Sequence, residues 1–127
     1  DEQAGEQPTI YTIGWRAAFM PNVKILDMPS SRLDCWRLGR VGLVFVDGDH
    51  TFTGVSKDSR KAFQALQLRP KAGRKHFIAW HDVYEECPEW VGVWRYLTDL
   101  SETYDVKLVE GTRLAYLEVS DLGGRWK

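Results

Sequence analysis

Apolar residues along the chain form short runs that alternate with segments of helical spacing. The short runs are rich in β-branched and aromatic residues, which predicts strands. They cover Thr9–Trp15, Asn22–Met28, Val41–Asp47 and Lys75–Trp80. The run that ends at Asp47 is apolar almost throughout. Such a run is typical of a parallel strand with both faces covered.

Two segments place their apolar residues at helical spacing. The first has its apolar face at Val55, Ala62, Phe63 and Leu66, and the second at Trp90, Trp94, Leu97 and Leu100. Thr53 is the predicted N-cap of the first helix, and Pro88 is placed in the first turn of the second. The Trp90/Trp94 stripe is interpreted as core packing rather than as a cofactor site.

The last apolar runs, residues 105–110 and 113–119, are separated by Gly111 and predict an antiparallel strand pair. The order strand, helix, strand, helix, strand pair predicts an α/β fold with a mostly parallel sheet. Residues 9–120 are expected to form this single domain. Residues 1–8 read as a disordered tail and residues 121–127 as a loose end.

The composition of the chain argues against nucleic acids and membranes as binding partners. The 127 residues carry 17 basic and 18 acidic side chains, a net charge of −1, which lacks the basic footprint of a nucleic-acid-binding protein. No apolar run approaches the ~18 residues of a membrane span. Cys35 and Cys87 form no CxxC motif and are interpreted as reduced thiols of a cytoplasmic protein, with a disulfide as the alternative.

Carboxylates close two of the predicted strands. Asp47 and Asp82 each follow an apolar run, and neighbouring parallel strands end about 5 Å apart. Two carboxylates in one small space repel each other, and a divalent cation such as Mg²⁺ relieves that repulsion. His50, three residues after Asp47, is the candidate base for a hydroxyl bound at the same cation.

Polar residues near these strand ends can bind a ligand or can have the structural role of forming a turn. Asp49 and His81 are candidates for additional ligands or for partners of the ligands. For Asp49 the structural role of a turn former is favoured, since a short carboxylate bonds nearby backbone N–H groups. For Asp47, His50 and Asp82 the matched pair of strand-terminal acids favours site chemistry over turn formation.

The segments "VGLVFVDGDHTFTGVSKD" and "LRPKAGRKHFIAWHDV" resemble the second half of class I S-adenosylmethionine-dependent methyltransferases. The resemblance is closest to the metal-assisted O-methyltransferases, a group with macrocin-type and cephalosporin-hydroxylase-like members. It implies a truncated Rossmann-like fold and O-methylation of a small hydroxylated molecule. By this resemblance Asp47, Asp82 and His81 are metal ligands, His50 is the general base, and Asp27 lies near the adenine-binding strand end.

The chain departs from this family in its first half, where no GxGxG motif occurs. If Thr9–Trp15 is the family's second strand, Gly14 stands where the ribose-binding acid is expected. If it is the first strand, Asp27 is that acid. The alternative to an enzyme is a non-catalytic module that binds a small molecule or a protein.

The family's central strand has no counterpart in this chain. An unfilled slot would bury unpaired backbone groups, so the sheet is expected to be rearranged or covered by a second copy of the chain. A homodimer is therefore predicted, with aromatic contacts at Trp15, Trp36 and Trp126.

Overall fold

A computed structural model describes residue 17 and residues 19–68, 74–85 and 91–119. The strands of this part are β1 (Leu43–Val46), β2 (Phe77–Trp80), β3 (Lys107–Leu108) and β4 (Ala115–Glu118). The α-helices are α1 (Phe52–Leu68) and α2 (Val91–Ser101), and two short 3₁₀ helices cover Ser30–Arg32 and Cys35–Leu38. The predicted tails, residues 1–8 and 121–127, lie outside the described residues, as do Gly14 and Thr9–Trp15.

The four described strands form one sheet in the order β1-β2-β4-β3. β1 and β2 are parallel, with Val46 opposite Trp80, whereas β4 is antiparallel to both of its neighbours. The α/β class and the antiparallel C-terminal pair are therefore confirmed. The prediction of a mostly parallel sheet is wrong for this part of the chain, because only one of the three described pairings is parallel.

The predicted strand Asn22–Met28 does not form. Residues 23–27 have no regular structure, and Val23, Ile25 and Leu26 are more than one-third exposed. A strand is stable only when a neighbour satisfies its N–H and C=O groups. Among the described residues no strand pairs with this segment, so its β-branched composition alone is not sufficient.

Both helices pack on the same face of the sheet. All four residues predicted for the inner face of α1, from Val55 to Leu66, are buried. Leu97 and Leu100 of α2 are buried as well, whereas Trp94 is half-buried against the core. Trp80 of β2 is fully buried, and its Nε1 donates a hydrogen bond of 2.9 Å to Ser59 Oγ on α1.

The other face of β1 is open. Leu43 is 61% exposed and Phe45 is 52% exposed, which contradicts the prediction of a strand buried on both faces. The described helices account for this difference, because both of them lie on the side of Val46 and Trp80. Of the helices in the described part, none is both long and apolar enough to cross a membrane.

Candidate metal centre

The parallel pairing of β1 and β2 brings two strand ends together. Because Val46 lies opposite Trp80, the next residues, Asp47 and His81, emerge at the same edge of the sheet. The backbone N–H of His81 donates to the carbonyl oxygen of Val46 at 3.1 Å and extends the pairing by one residue. β1 and β2 are therefore neighbours, which is the condition on which the expected meeting of Asp47 and Asp82 depends.

Three side chains converge at this edge. Asp47, His81 and Asp82 each offer one ligand atom, and these atoms all lie within 4.8 Å of one another. His81 Nδ1 is 3.1 Å from Asp82 Oδ1 and 3.5 Å from Asp47 Oδ1. These are the three residues predicted as metal ligands, and the fold brings them into one cluster.

The ring nitrogen Nδ1 of His81 is within ion-pair distance of both carboxylates but forms no directed hydrogen bond with a described residue. Nδ1 is buried, and neither carboxylate contact has hydrogen-bond geometry, so the described residues give it no partner of that kind. A buried polar nitrogen without a partner costs free energy. Between two carboxylate oxygens, a proton or a cation relieves that cost.

Asp82 adopts an unusual backbone conformation, with φ at 60°. This left-handed region is costly for most L-residues but is tolerated by Asp. The next residue, Val83, anchors the turn, because its N–H donates to Arg113 O at 3.1 Å. Unfavourable backbone conformations of this kind concentrate at functional sites.

The two oxygens of the Asp82 carboxylate have different neighbours. Oδ1 lies beside His81, while Oδ2 is 2.9 Å from Nε2 of His50. Burial raises the pKa of Asp82, but the hydrogen bond from His50 and the charge of His81 outweigh it, so the pKa is lowered from 3.8. His50 therefore contacts the centre through a carboxylate, outside the three-residue cluster.

The loop that carries His50 is held by side-chain bonds to its own backbone. Asp49 Oδ1 accepts the N–H of Thr51 at 2.9 Å, and this bond lowers the pKa of Asp49. Thr51 Oγ1 in turn accepts the N–H of Gly54 at 3.0 Å, so Thr51, not the predicted Thr53, caps α1. Asp49 has the favoured role of a turn former.

Gly92 also fixes this loop, and the sequence reasoning missed it. It lies in α2 directly against the loop backbone, where a Cβ would overlap His50 O and Phe52 N. The one available signal is a glycine inside a helical pattern, which weakens a helix unless close packing requires it. The close approach of α2 therefore sets the position of His50.

One side of the site was predicted to bind the methyl donor, S-adenosylmethionine. The described residues do not assemble that side. Asp27 is exposed and belongs to the segment without strand structure, so no strand end presents it to a ribose or an adenine. Gly14 lies outside the described residues. The described residues therefore assemble no binding site for S-adenosylmethionine around Asp27.

Comparisons with known proteins gave no match. No family model, no curated protein and no solved structure is significantly similar to the chain. Any function must therefore be argued from the geometry of the site itself.

Proposed function

We propose that the chain binds a divalent cation at Asp47, His81 and Asp82 and uses it to hold the hydroxyl group of a small molecule. This is the acceptor side of a metal-dependent O-methyltransferase. One observation carries the proposal: the buried Nδ1 of His81 has no hydrogen-bond partner and lies 3.1 and 3.5 Å from two carboxylate oxygens.

The donor set suits a small divalent ion. Mg²⁺ is commonly bound by one or two carboxylates and several waters. An imidazole nitrogen beside two carboxylates also admits a first-row transition metal such as Mn²⁺. The side chains of Asp47 and His81 are 46% and 37% exposed, which leaves room for water or a substrate oxygen.

A cation bound here would polarise a hydroxyl group and lower its pKa. Because Nε2 of His50 is bonded to Asp82 Oδ2, the proton lost by such a hydroxyl would pass to Nδ1 of His50, and the Asp82 carboxylate would stabilise the resulting imidazolium. Asp82 would thus have two functions: Oδ1 would be available to the cation, and Oδ2 holds the ring of His50.

Isothermal titration with MnCl₂ and MgCl₂ tests the metal site. The wild-type chain is expected to bind one cation, and Asp47→Asn and Asp82→Asn to weaken binding at least ~10-fold, the lower bound for groups that support a metal. Asp49→Asn is the matched control, because an Asn side chain keeps the bond to Thr51. Absence of binding by the wild type, or an equal loss in the control, contradicts the proposal.

A titration with S-adenosylmethionine in the presence of Mn²⁺ decides whether the proposal extends to methyl transfer. Binding would extend it to an O-methyltransferase, and no binding would restrict it to cation-dependent recognition of a hydroxyl compound. Cytoplasmic location belongs to the same proposal and is supported by the buried thiol of Cys35, which has no disulfide partner among the described residues. The second predicted cysteine, Cys87, lies outside the described residues.

A second function, a non-catalytic binding module, is favoured by a different observation. Asp82 has a histidine beside each of its oxygens, so a protonated imidazole would balance its charge without a metal. In that case the wild-type chain binds neither Mn²⁺ nor Mg²⁺. The titrations with MnCl₂ and MgCl₂ therefore separate the two functions.

A further inference from the structure

A cavity of about 220 Å³ lies between α1, β1 and the two 3₁₀ helices. Most of its wall is apolar and is formed by Leu33, Leu38, Val44, Val46, Ala62 and Ala65. Asp47 lines it as well, so this residue is shared by the cavity and the candidate metal centre. A molecule in the cavity therefore reaches the residue that is proposed to bind the cation.

The size of the cavity limits what it can hold. A dry cavity of about 150 Å³ lined by aliphatic and aromatic side chains takes up benzene. By that measure, 220 Å³ accommodates one six-membered ring with about one or two additional heavy atoms. The apolar wall favours a hydrocarbon body over a sugar.

Polar groups line one part of this cavity. Ser30 Oγ donates to Asp58 Oδ1, and Lys61 Nζ donates to the backbone oxygen of Leu33 at 3.1 Å. Asp58 Oδ2 lies against Gly48, where an added Cβ would be 2.9 Å away. With Asp47 the cavity thus has two carboxylates and one ammonium group, which favours a ligand that donates hydrogen bonds over an anion.

We propose that this cavity binds a compact, uncharged alcohol with one ring or a branched aliphatic body, and discriminates against carboxylates of the same size. The apolar body occupies the space between α1 and β1, and the hydroxyl points to Asp47. This inference rests on the proposed function, since it names the class of molecule whose hydroxyl the cation holds.

Benzyl alcohol and benzoate are the matched probes, because they have the same ring and nearly the same size and differ in charge. Amide shifts of the ¹⁵N-labelled chain are followed during titration with each probe, with and without MnCl₂. Benzyl alcohol is expected to shift amides of the lining residues and, without MnCl₂, to bind at least tenfold more tightly than benzoate. Bound Mn²⁺ should broaden the methylene protons of benzyl alcohol.

Two variants locate the site. Ala65→Leu places three carbon atoms in the cavity and is expected to abolish probe binding while leaving Mn²⁺ binding intact. If this variant does not fold, Leu38→Trp at the partly exposed rim serves the same purpose. Asp58→Asn removes one of the two negative charges and should reduce the discrimination against benzoate.

The outcomes separate this inference from the proposed function. If Mn²⁺ binds but benzyl alcohol does not, or Ala65→Leu and Leu38→Trp bind the probe as the wild type does, the inference is overturned and the proposed function stands. If benzoate binds as tightly as benzyl alcohol without MnCl₂, the proposed discrimination by charge is overturned. If the probe occupies the cavity and Mn²⁺ does not bind, the proposed function fails while the alcohol site stands.

Discussion

At the scale of single residues, the division of the Asp82 carboxylate between two histidines determines how it responds to pH. Its pKa is lowered in the folded chain despite the opposing effect of burial. The folded state therefore binds fewer protons at this group than the unfolded state. Its stabilising contribution is complete above the ordinary value of 3.8 and is lost as the pH falls through the folded pKa.

We expect Asp82→Asn to make the free energy of unfolding less dependent on pH below about pH 4. At neutral pH the variant should be less stable by about 1–2 kcal/mol, because the bond to His50 loses its charge assistance. Urea denaturation between pH 2.5 and 6 measures both effects. Asp99→Asn, at an exposed position of α2, is the control, and identical pH profiles for the two variants would contradict the assignment.

A second residue-scale prediction concerns the buried hydrogen bond between Trp80 and Ser59. Both side chains are fully buried, so Ser59→Ala leaves the indole N–H without a partner. The expected loss of stability is about 1–3 kcal/mol. Ser56→Ala, on the same helix but only half-buried, should change the free energy of unfolding by less than about 0.5 kcal/mol. Equal changes in the two variants would rule out the role of this bond.

At the scale of elements, the position of the loop that carries His50 depends on a helix that follows it by about 40 residues. α2 approaches the backbone between His50 and Phe52 at Gly92, where there is no room for a side chain. A helix–loop contact of this kind cannot be read from either segment alone. It couples the packing of α2 to the geometry of the site.

Gly92→Ala is therefore expected to destabilise the chain by about 1–3 kcal/mol through the overlap with His50 and Phe52. The sign of the change in the free energy of unfolding is informative, because Gly→Ala inside a helix ordinarily stabilises by roughly 0.5–1 kcal/mol. Gly42→Ala is the control, since nothing lies within 4 Å of an added Cβ there. Denaturation with urea gives the free energies, and a stabilised Gly92→Ala variant would refute the contact.

At the scale of the whole molecule, the described sheet has helices on one face only. On the face without helices, Leu43 of β1 is 61% exposed. β1 is also an edge strand of the described sheet, with β2 as its described neighbour. An apolar surface next to a strand edge is a common site of association.

The homodimer predicted from the sequence remains a prediction. Of its proposed aromatic contacts, Trp36 is 58% exposed, and Trp15 and Trp126 lie outside the described residues.

If a second copy covers this face, the wild-type chain sediments as a dimer and Leu43→Lys shifts it to the monomer. Leu108→Lys is a closely matched control, because Leu108 is 57% exposed and lies on β3, at the opposite edge of the described sheet. Sedimentation equilibrium at several concentrations distinguishes the species. A monomeric wild type, or equal effects of the two substitutions, would contradict an interface at β1.

The features predicted correctly from the sequence depend on local pattern. The buried face of α1 follows from helical spacing, and the hairpin around Gly111 follows from two apolar runs and a turn; φ at Gly111 is 76°. The meeting of Asp47 and Asp82 follows from two apolar runs that each end in a carboxylate, once the two strands are neighbours. From its position His81 is only a candidate ligand or partner of a ligand, and it is the family resemblance that implies a ligand.

Only the tertiary structure decided the remaining features, because each depends on what lies beside a segment in space. Residues 22–28 have the composition of a strand but no described partner, and β1 is apolar on both faces while the described helices cover only one. The overlap at Gly92, the cavity beside Asp47 and the contact between His50 and Asp82 join residues far apart in the sequence. The sequence thus determines which segments can form elements and where their polar ends fall, whereas packing between distant segments decides which of them find partners.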